Sequence, residues 1–218
     1  HPVFSVATAG GLAERAGAQE RATSQARDDA TDTPAVAELE AAGMRVVNLT
    51  HTLTADPQAP VPAGAVEVRE ADPEQDEEVL DVAERSFRYT RFHLDPQVPQ
   101  AVADRIKRDW VSSYLNGLRG DELLVALGAG RPVGFLCGLP RTDGERRVRV
   151  IDLFGVAPEA RRSGAGLALV RAFHERARGR CDAVEVGTQA ANTPAIVFYE
   201  RLGYLTARAA YDLHMHVG

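Results

Sequence analysis

Cysteine, basic charge and long apolar runs are all scarce in this chain. Its 218 residues include two cysteines, Cys137 and Cys181, neither in a CxxC or Cys/His cluster. That rules out a disulfide framework and a structural zinc site, and it fits a reducing compartment. No apolar run approaches the roughly 18–20 residues that a membrane span needs. The formal net charge is −6, whereas a nucleic-acid-binding domain normally carries a basic surplus. The start lacks a basic stretch followed by an apolar one, so no secretory leader is read there. The first residue is His1 rather than Met, so the natural start is expected to lie outside this sequence. No serine or cysteine has a histidine partner in a recognisable nucleophile arrangement. The composition is otherwise ordinary, 44% hydrophobic and 26% charged. A cytoplasmic enzyme or small-ligand binder is expected, with neither nucleic-acid nor membrane partners.

The pattern divides at Thr54–Ala65, a stretch dense in Pro, Ala and Gly. Proline fixes φ and restricts its predecessor, so an extended linker is expected there. Residues 1–53 then form an N-terminal segment and 66–218 the main domain. In the first, Val3–Ala9 reads as a strand and Gly11–Ala30 as a helix on its Ala/Glu/Arg/Gln content. Pro34–Ala42 reads as a helix capped by Asp32 or Thr33, Gly43 as its C-cap, and Val46–Leu53 as an alternating strand. Beyond the linker, strands are expected at Val66–Arg69, Leu123–Leu127, Pro132–Leu139, Arg147–Val156 and Ala183–Thr188, with a final strand pair over Tyr204–His216. Helices are expected at Pro73–Phe87, Pro99–Leu118, Gly164–Arg178 and Pro194–Leu202. Gly128-Ala129-Gly130 supplies a tight turn. Strands and helices interleave, so the fold class is α/β or α+β with a mixed sheet.

An internal repeat is visible. Thr33-Pro34-Ala35-Val36 and Thr193-Pro194-Ala195-Ile196 open two similar helices, ending at Gly43 and Gly203. Glu40 matches Glu200 and Leu53 matches Leu213 at the same offset, which reads as a duplicated half-domain. Asp32 stands where the second copy has Asn192, and Leu39 where it has Tyr199. The first copy kept its packing and lost its polar chemistry.

Two segments carry chemistry. Ile151–Gly166 is a hydrophobic strand, a Pro-containing turn, an Arg pair and two glycines opening a helix. Glycines admit close backbone approach, and the free N–H groups of a helix start attract phosphate. Arg161 and Arg162 add positive charge. The stretch is neither a P-loop, for want of Gly-Lys-Ser/Thr, nor a three-glycine dinucleotide fingerprint. A flexible strand-to-helix turn is the plainer alternative. Val184–Tyr204 is a buried strand, a polar loop and a helix carrying Phe198-Tyr199. Asn192 either caps that helix or meets a ligand. Tyr199 is either core or a proton donor to a leaving thiolate.

Together the segments resemble the GNAT superfamily of acyl-CoA-dependent N-acyltransferases. The first matches its V-x-P-x-x-[RQ]-x-x-G-x-[GA] signature at Val156, Pro158, Arg161, Gly164 and Gly166. The second matches N-x-x-A-x-x-F-Y-x-x-x-G-[FY] at Asn192, Ala195, Phe198, Tyr199, Gly203 and Tyr204. Arg162 and Ser163 depart from the usual Gly-Arg pair, which alters the contacts expected to pyrophosphate. The resemblance implies a GNAT fold with acetyl-CoA as co-substrate, no metal, and a degenerate half-GNAT segment at the N-terminus. It implies that Leu153, Phe154, Gly155 and Val156 offer main-chain groups to the pantetheine arm. A strand N–H near Phe154 or Gly155 would polarise the thioester carbonyl. Backbone N–H groups of Arg162, Ser163, Gly164, Ala165, Gly166 and Leu167 would hold the pyrophosphate beside Arg161. Asn192 would meet the CoA arm, and Tyr199 would be the general acid. The chemistry would be direct attack by an amine.

Thr188-Gln189, Ile151-Asp152-Leu153 and Arg91–Pro96 are similar to dTDP-4-amino-sugar N-acetyltransferases, the dTDP-fucosamine acetyltransferase type. That type also carries a partial N-terminal segment. The implied acceptor is a small-molecule primary amine on a nucleotide-linked sugar. Another small amine, or an acyl-CoA-binding domain without turnover, are the alternatives. For the general base, Asp152 and His93 are the candidates; the plainer readings are a structural carboxylate and a surface histidine. Arg91 either holds a diphosphate or pairs with Asp95. His214 and His216 share a strand face as a metal pair would, but lack a third ligand nearby in sequence and read as strand residues. Trp110, with Val111, Tyr114 and Leu118, reads as core, and Glu74–Glu78 as a solvated face. A homodimer is expected, to cover a strand edge near the last two strands.

Overall fold

The structure, a computed structural model, describes residues 23–216. The expected strand Val3–Ala9 and the first part of the expected helix Gly11–Ala30 lie outside them. The part of that helix that is described is instead a strand, β1 (Thr23–Asp29), paired along its length with the last strand. Pairing with a neighbouring strand here overrides a helix-leaning local composition.

The order continues with α1 (Thr33–Ala41), β2 (Arg45–Ala55), β3 (Glu67–Glu70), α2 (Asp76–Ser86), α3 (Arg91–Leu94), α4 (Gln100–Leu115), β4 (Glu122–Gly128), β5 (Arg131–Asp143) and β6 (Arg146–Val156). It closes with α5 (Ala165–Ala177), β7 (Ala183–Gln189), α6 (Thr193–Arg201) and β8 (Leu205–His216). All eight described strands form one sheet in the order β1-β8-β2-β7-β6-β5-β4-β3. Only β6 and β7 run parallel, so the sheet is mixed as expected. Ala129 and Gly130, both at positive φ, make the two-residue turn between β4 and β5, a geometry matched to strand twist.

Successive β5 residues face opposite ways, and this sets the layers. Leu136 joins the core under α5 and α6, with Leu169, Phe173 and Tyr199. Phe135 and Cys137 join the core under α2 and α4, with Val79, Val111 and Tyr114. A smaller cluster of Val36, Met44 and Leu213 lies beneath α1. Gly64, in the stretch between β2 and β3, passes so near α5 that an added Cβ would lie 3.0 Å from Ala168 Cβ.

Two expectations need correcting. The strand pair over Tyr204–His216 is the single strand β8, held by β1 on one side and β2 on the other. The open edges among the described strands are therefore β1 and β3, so β8 offers no bare edge for a partner. Leu118 lies past the end of α4 and is 82% exposed, so it leaves the apolar stripe of that helix.

The repeat has a counterpart in the pairing. The β1-α1-β2 unit and the β7-α6-β8 unit begin at Thr23 and Ala183, 160 residues apart. Exchanging the units at that offset turns the pair Val46↔Leu213 into Leu53↔Thr206, and Asn48↔Asp212 into Thr52↔Arg208. Both images are observed, and the bulge between Val46 and Asn48 becomes the one between Thr52 and Leu53. The β1–β8 register likewise maps onto that of β2 and β7. The two units therefore interlock about a local pseudo-twofold axis, with β2 inserted between β7 and β8.

Candidate functional site

The parallel ladder between β6 and β7 is short, running from Val148↔Ala183 to Ile151↔Val186. Beyond it the strands part while β6 stays paired with β5 as far as Val156. The edge of β6 that faces the gap thus presents main-chain groups without ladder partners from Asp152 onward. The gap opens into a cavity of about 360 Å³, lined by Ile151–Val156 on one side and Val186–Gln189 on the other. Leu153, Phe154, Gly155 and Val156 all line it, as do Arg161, Asn192 and Tyr199.

The turn after β6 leads into α5. Arg162 and Gly164 both take positive φ, and Gly164 caps the helix without any side-chain bond. Ala168 N–H is the first to bond back along the helix, to Gly164 O at 3.0 Å. The N–H groups of Gly166 and Leu167 thus lack the usual helical acceptor. Ala165 N–H differs, since it donates to Ser163 Oγ at 3.3 Å. Arg161 donates to Ser86 O, while Arg162 is exposed and does not line the cavity. A Cβ on Gly166 would come within 3.1 Å of Phe154 Cζ, so glycine there keeps the helix start close to the cavity wall.

Asn192 and Asp32 are equivalent by the repeat and behave differently. The Asp32 carboxylate accepts the Ala35 N–H and caps α1. Asn192 makes no capping bond to α6; its amide donates to Thr188 Oγ1, 3.3 Å away, in the cavity wall. Tyr199 is 2% exposed and flanked by Phe154, Phe198 and Tyr204. Burial, with Tyr204 adding to it, pushes its phenol well above the usual tyrosine range, so it stays protonated at neutral pH.

Neither expected base is free. Asp152 reaches the cavity, but Arg119 grips it through Nε at 2.7 Å and Nη2 at 2.9 Å, and Tyr114 Oη donates at 2.7 Å. His93 does not line the cavity: Nε2 faces Asp104 Oδ1 at 3.0 Å and Nδ1 faces Thr90 Oγ1. Its side chain is 1% exposed, so it is not the surface histidine of the plainer reading either. Burial, outweighing the pull of Asp104, lowers its pKa.

Arg91 stacks on Phe92 and Trp110 and donates to Gln25 Oε1, apart from the cavity lining. Asp95 instead joins the two strand histidines, its Oδ2 lying 2.7 Å from His214 Nδ1 and 2.7 Å from His216 Nε2. The three side chains cluster as metal ligands can, but 2.7 Å is a hydrogen-bond distance. Ligand atoms around one zinc stand about 3.4 Å apart at bond lengths of about 2.1 Å. The group pins the loop after α3 onto β8. The acidic run also binds more than water, with Glu77 paired to Arg108 and Glu78 to Arg131.

Lys107, on α4, was not among the sequence candidates. It lines the cavity, exposes 6% of its surface and lies over the Trp110 ring at 4.0 Å. Burial, then Arg91, lower its pKa to about 7, against the pull of Asp152. A signal for it was present: of 25 cationic residues, 24 are arginine and Lys107 is the only lysine.

Residues 77–204 match the family described as Acetyltransferase (GNAT) family. The chain is 31% identical over 149 residues to the spore coat polysaccharide biosynthesis protein SpsD of Bacillus subtilis, covering 67% of this chain and 50% of that protein. It is 33% identical over 152 residues to a mycothiol acetyltransferase of Pseudarthrobacter chlorophenolicus, covering 68% and 45%. The chain thus spans about half the length of the curated relatives it matches. A GCN5-related N-acetyltransferase from Sphaerobacter thermophilus shares the fold at TM-score 0.61 and 21% identity, over 92% of this chain and 62% of that one. A tandem GNAT protein from the clavulanic acid pathway does so at TM-score 0.59 and 17% identity, over 90% and 64%.

Proposed function

This chain belongs to the acetyltransferase (GNAT) family, and from that premise we propose that it transfers acetyl from acetyl-CoA to a primary amine on a nucleotide-linked amino sugar. The observation that carries the reading is the parting of β6 from β7 after Ile151↔Val186, with Asn192 and Tyr199 lining the cavity it opens. The open edge of β6 suits an extended pantetheine arm laid beside it as a strand. The N–H groups of Gly166 and Leu167, with Arg161 near, suit a pyrophosphate at the helix start. Ala165 N–H is withdrawn from the expected set by Ser163.

Each residue has a distinct task in the reaction. A main-chain N–H of β6 near Phe154 or Gly155 polarises the thioester carbonyl. Asn192 orients the CoA arm, and protonated Tyr199 gives its proton to the departing thiolate. Asp152, held by Arg119 and Tyr114, shapes the acceptor side and moves no proton. The N-terminal segment of 1–53 acts as the partial half-domain, joined through 54–65 to the domain of 66–218; the matched registers of the β1-α1-β2 and β7-α6-β8 units support its described part, although β2 runs on to Ala55.

The SpsD relative, named for polysaccharide biosynthesis, supports the sugar acceptor. The mycothiol acetyltransferase supports a second reading, a different small amine. Two buried free cysteines fit a cytoplasmic setting. Among the described residues no helix is long and apolar enough to cross a membrane.

The deciding experiment is CoA release from acetyl-CoA with a panel of dTDP-4-amino sugars, aminoglycosides, polyamines, amino acids and peptides. Turnover confined to a dTDP-amino sugar is expected. Turnover on another class replaces the acceptor and keeps the mechanism. Acetyl-CoA binding with silence across the panel removes the catalytic reading.

A further inference from the structure

We propose that Lys107 Nζ is the general base that takes the proton from the acceptor's ammonium group, an inference that rests on the acetyl-transfer reading above. Histidines aside, the chain uses arginine for every other basic side chain. A guanidinium does not give up its proton in a protein, whereas an ammonium does when it is desolvated. The one cation able to become a free base is thus the one in the cavity wall. Its Nζ lies 4.0 Å from the Trp110 ring centre, 5.3 Å from Phe87 and 6.0 Å from Phe92.

The charged groups that face it are mostly cations. Arg91 stands on α3, Arg119 in the turn after α4 and Arg27 on β1; Asp152 on β6 is the carboxylate among them, and Arg119 already holds it. Desolvation and like charge together bring Lys107 to a pKa of about 7. The other ionisable side chains of the lining are Arg88, Arg161, Tyr89, Asp152 and Tyr199. Two are arginines, two are phenols and one is a clasped carboxylate, so Lys107 is the group there suited to accept a proton near neutrality.

The proton balance closes. Neutral Lys107 takes one proton from the ammonium, and the freed lone pair attacks the thioester carbonyl carbon, forming the C–N bond. Collapse breaks the C–S bond as the thiolate takes the phenol proton of Tyr199. The phenolate recovers a proton from the new amide nitrogen. Lys107 then releases its proton to water, so one proton leaves per turnover.

Because the chain has one lysine, a protein labelled with [ε-13C]lysine gives a single resonance that titrates Lys107 without assignment. A midpoint near 7 is expected, and one above about 8 overturns the proposal. The second arm is Lys107→Arg, which preserves a cation over Trp110 but cannot deprotonate. With acetyl-CoA and a dTDP-4-amino sugar, its kcat is expected to fall about 100-fold or more, with acetyl-CoA affinity unchanged. The native rate should rise through the midpoint of the resonance. A variant that folds and turns over at the native rate shows a structural lysine and overturns the proposal. Silence of the native protein across the amine panel is separate and defeats the acetyl-transfer reading, taking the base with it.

Discussion

The ammonium of Lys107 and the indole of Trp110 stand three positions apart on α4, with Nζ 4.0 Å from the ring centre. The ring face attracts the charged form, while burial and Arg91 oppose it. These opposed effects poise the amine near neutrality, at the cost of some folding free energy.

That cost is measurable. With the folded pKa near 7 and the unfolded one near 10.4, the unfolded chain binds more protons between those values. Stability therefore rises with pH across that window. Lys107→Met, which removes the buried charge, should gain on the order of 2 kcal/mol at pH 7, with the gain shrinking toward pH 10. Denaturant unfolding at pH 7 and pH 10 tests this; an equal effect at both would refute it.

Tyr199→Phe retains the ring contacts with Phe154 and Phe198 and loses only the hydroxyl. Turnover should fall about 100-fold or more, with acetyl-CoA affinity nearly unchanged. Steady-state rates and calorimetric binding separate the two. Equal loss of both would make the residue structural.

Three buried histidines set the acid limit. Burial holds His93, His174 and His214 below the usual histidine pKa. Below about pH 6.5 the unfolded chain binds protons more readily than the folded one, so stability falls as pH drops. The thermal midpoint should decline between pH 7.5 and pH 5; a flat profile would contradict the assignment. Asp95 acts lower still. Burial pushes its pKa up, but the Gln97 N–H and the two histidines bring it below the ordinary carboxylate value, so its support is lost only on further acidification.

Gly166→Ala places a Cβ 3.1 Å from Phe154 Cζ. The ring must shift by a few tenths of an ångström, and it lines the cavity. Acetyl-CoA affinity should weaken several-fold while the circular dichroism spectrum is retained. Unchanged affinity would show that Phe154 can give way without moving into the cavity.

The segments that build β6, its turn into α5 and the start of α6 were legible because their signals are local. A strand, a proline turn and two glycines occur together in Ile151–Gly166, and the Thr193-Pro194 helix start declares itself. What local pattern hides is pairing. Thr23–Asp29 has helix-leaning neighbours and becomes a strand only because β8 lies beside it. Nothing around Val46–Leu53 announces that β2 will separate β7 from β8. The acceptor side was harder for the same reason. Asp152 and His93 looked available until Arg119, Tyr114 and Asp104 arrived from elsewhere in the chain. Lys107 could have been noticed by counting lysines, but its burial is a property of the assembled cavity.

The outermost ladder sets Thr23 opposite His216, so those two residues meet at one corner of the sheet. Tension applied between those two residues opens β1 from β8 one rung at a time, like a zipper, instead of shearing all rungs together. Such a sheet yields gradually when pulled there. Its β6–β7 cleft lies beyond β8 and β2 and carries none of the initial load.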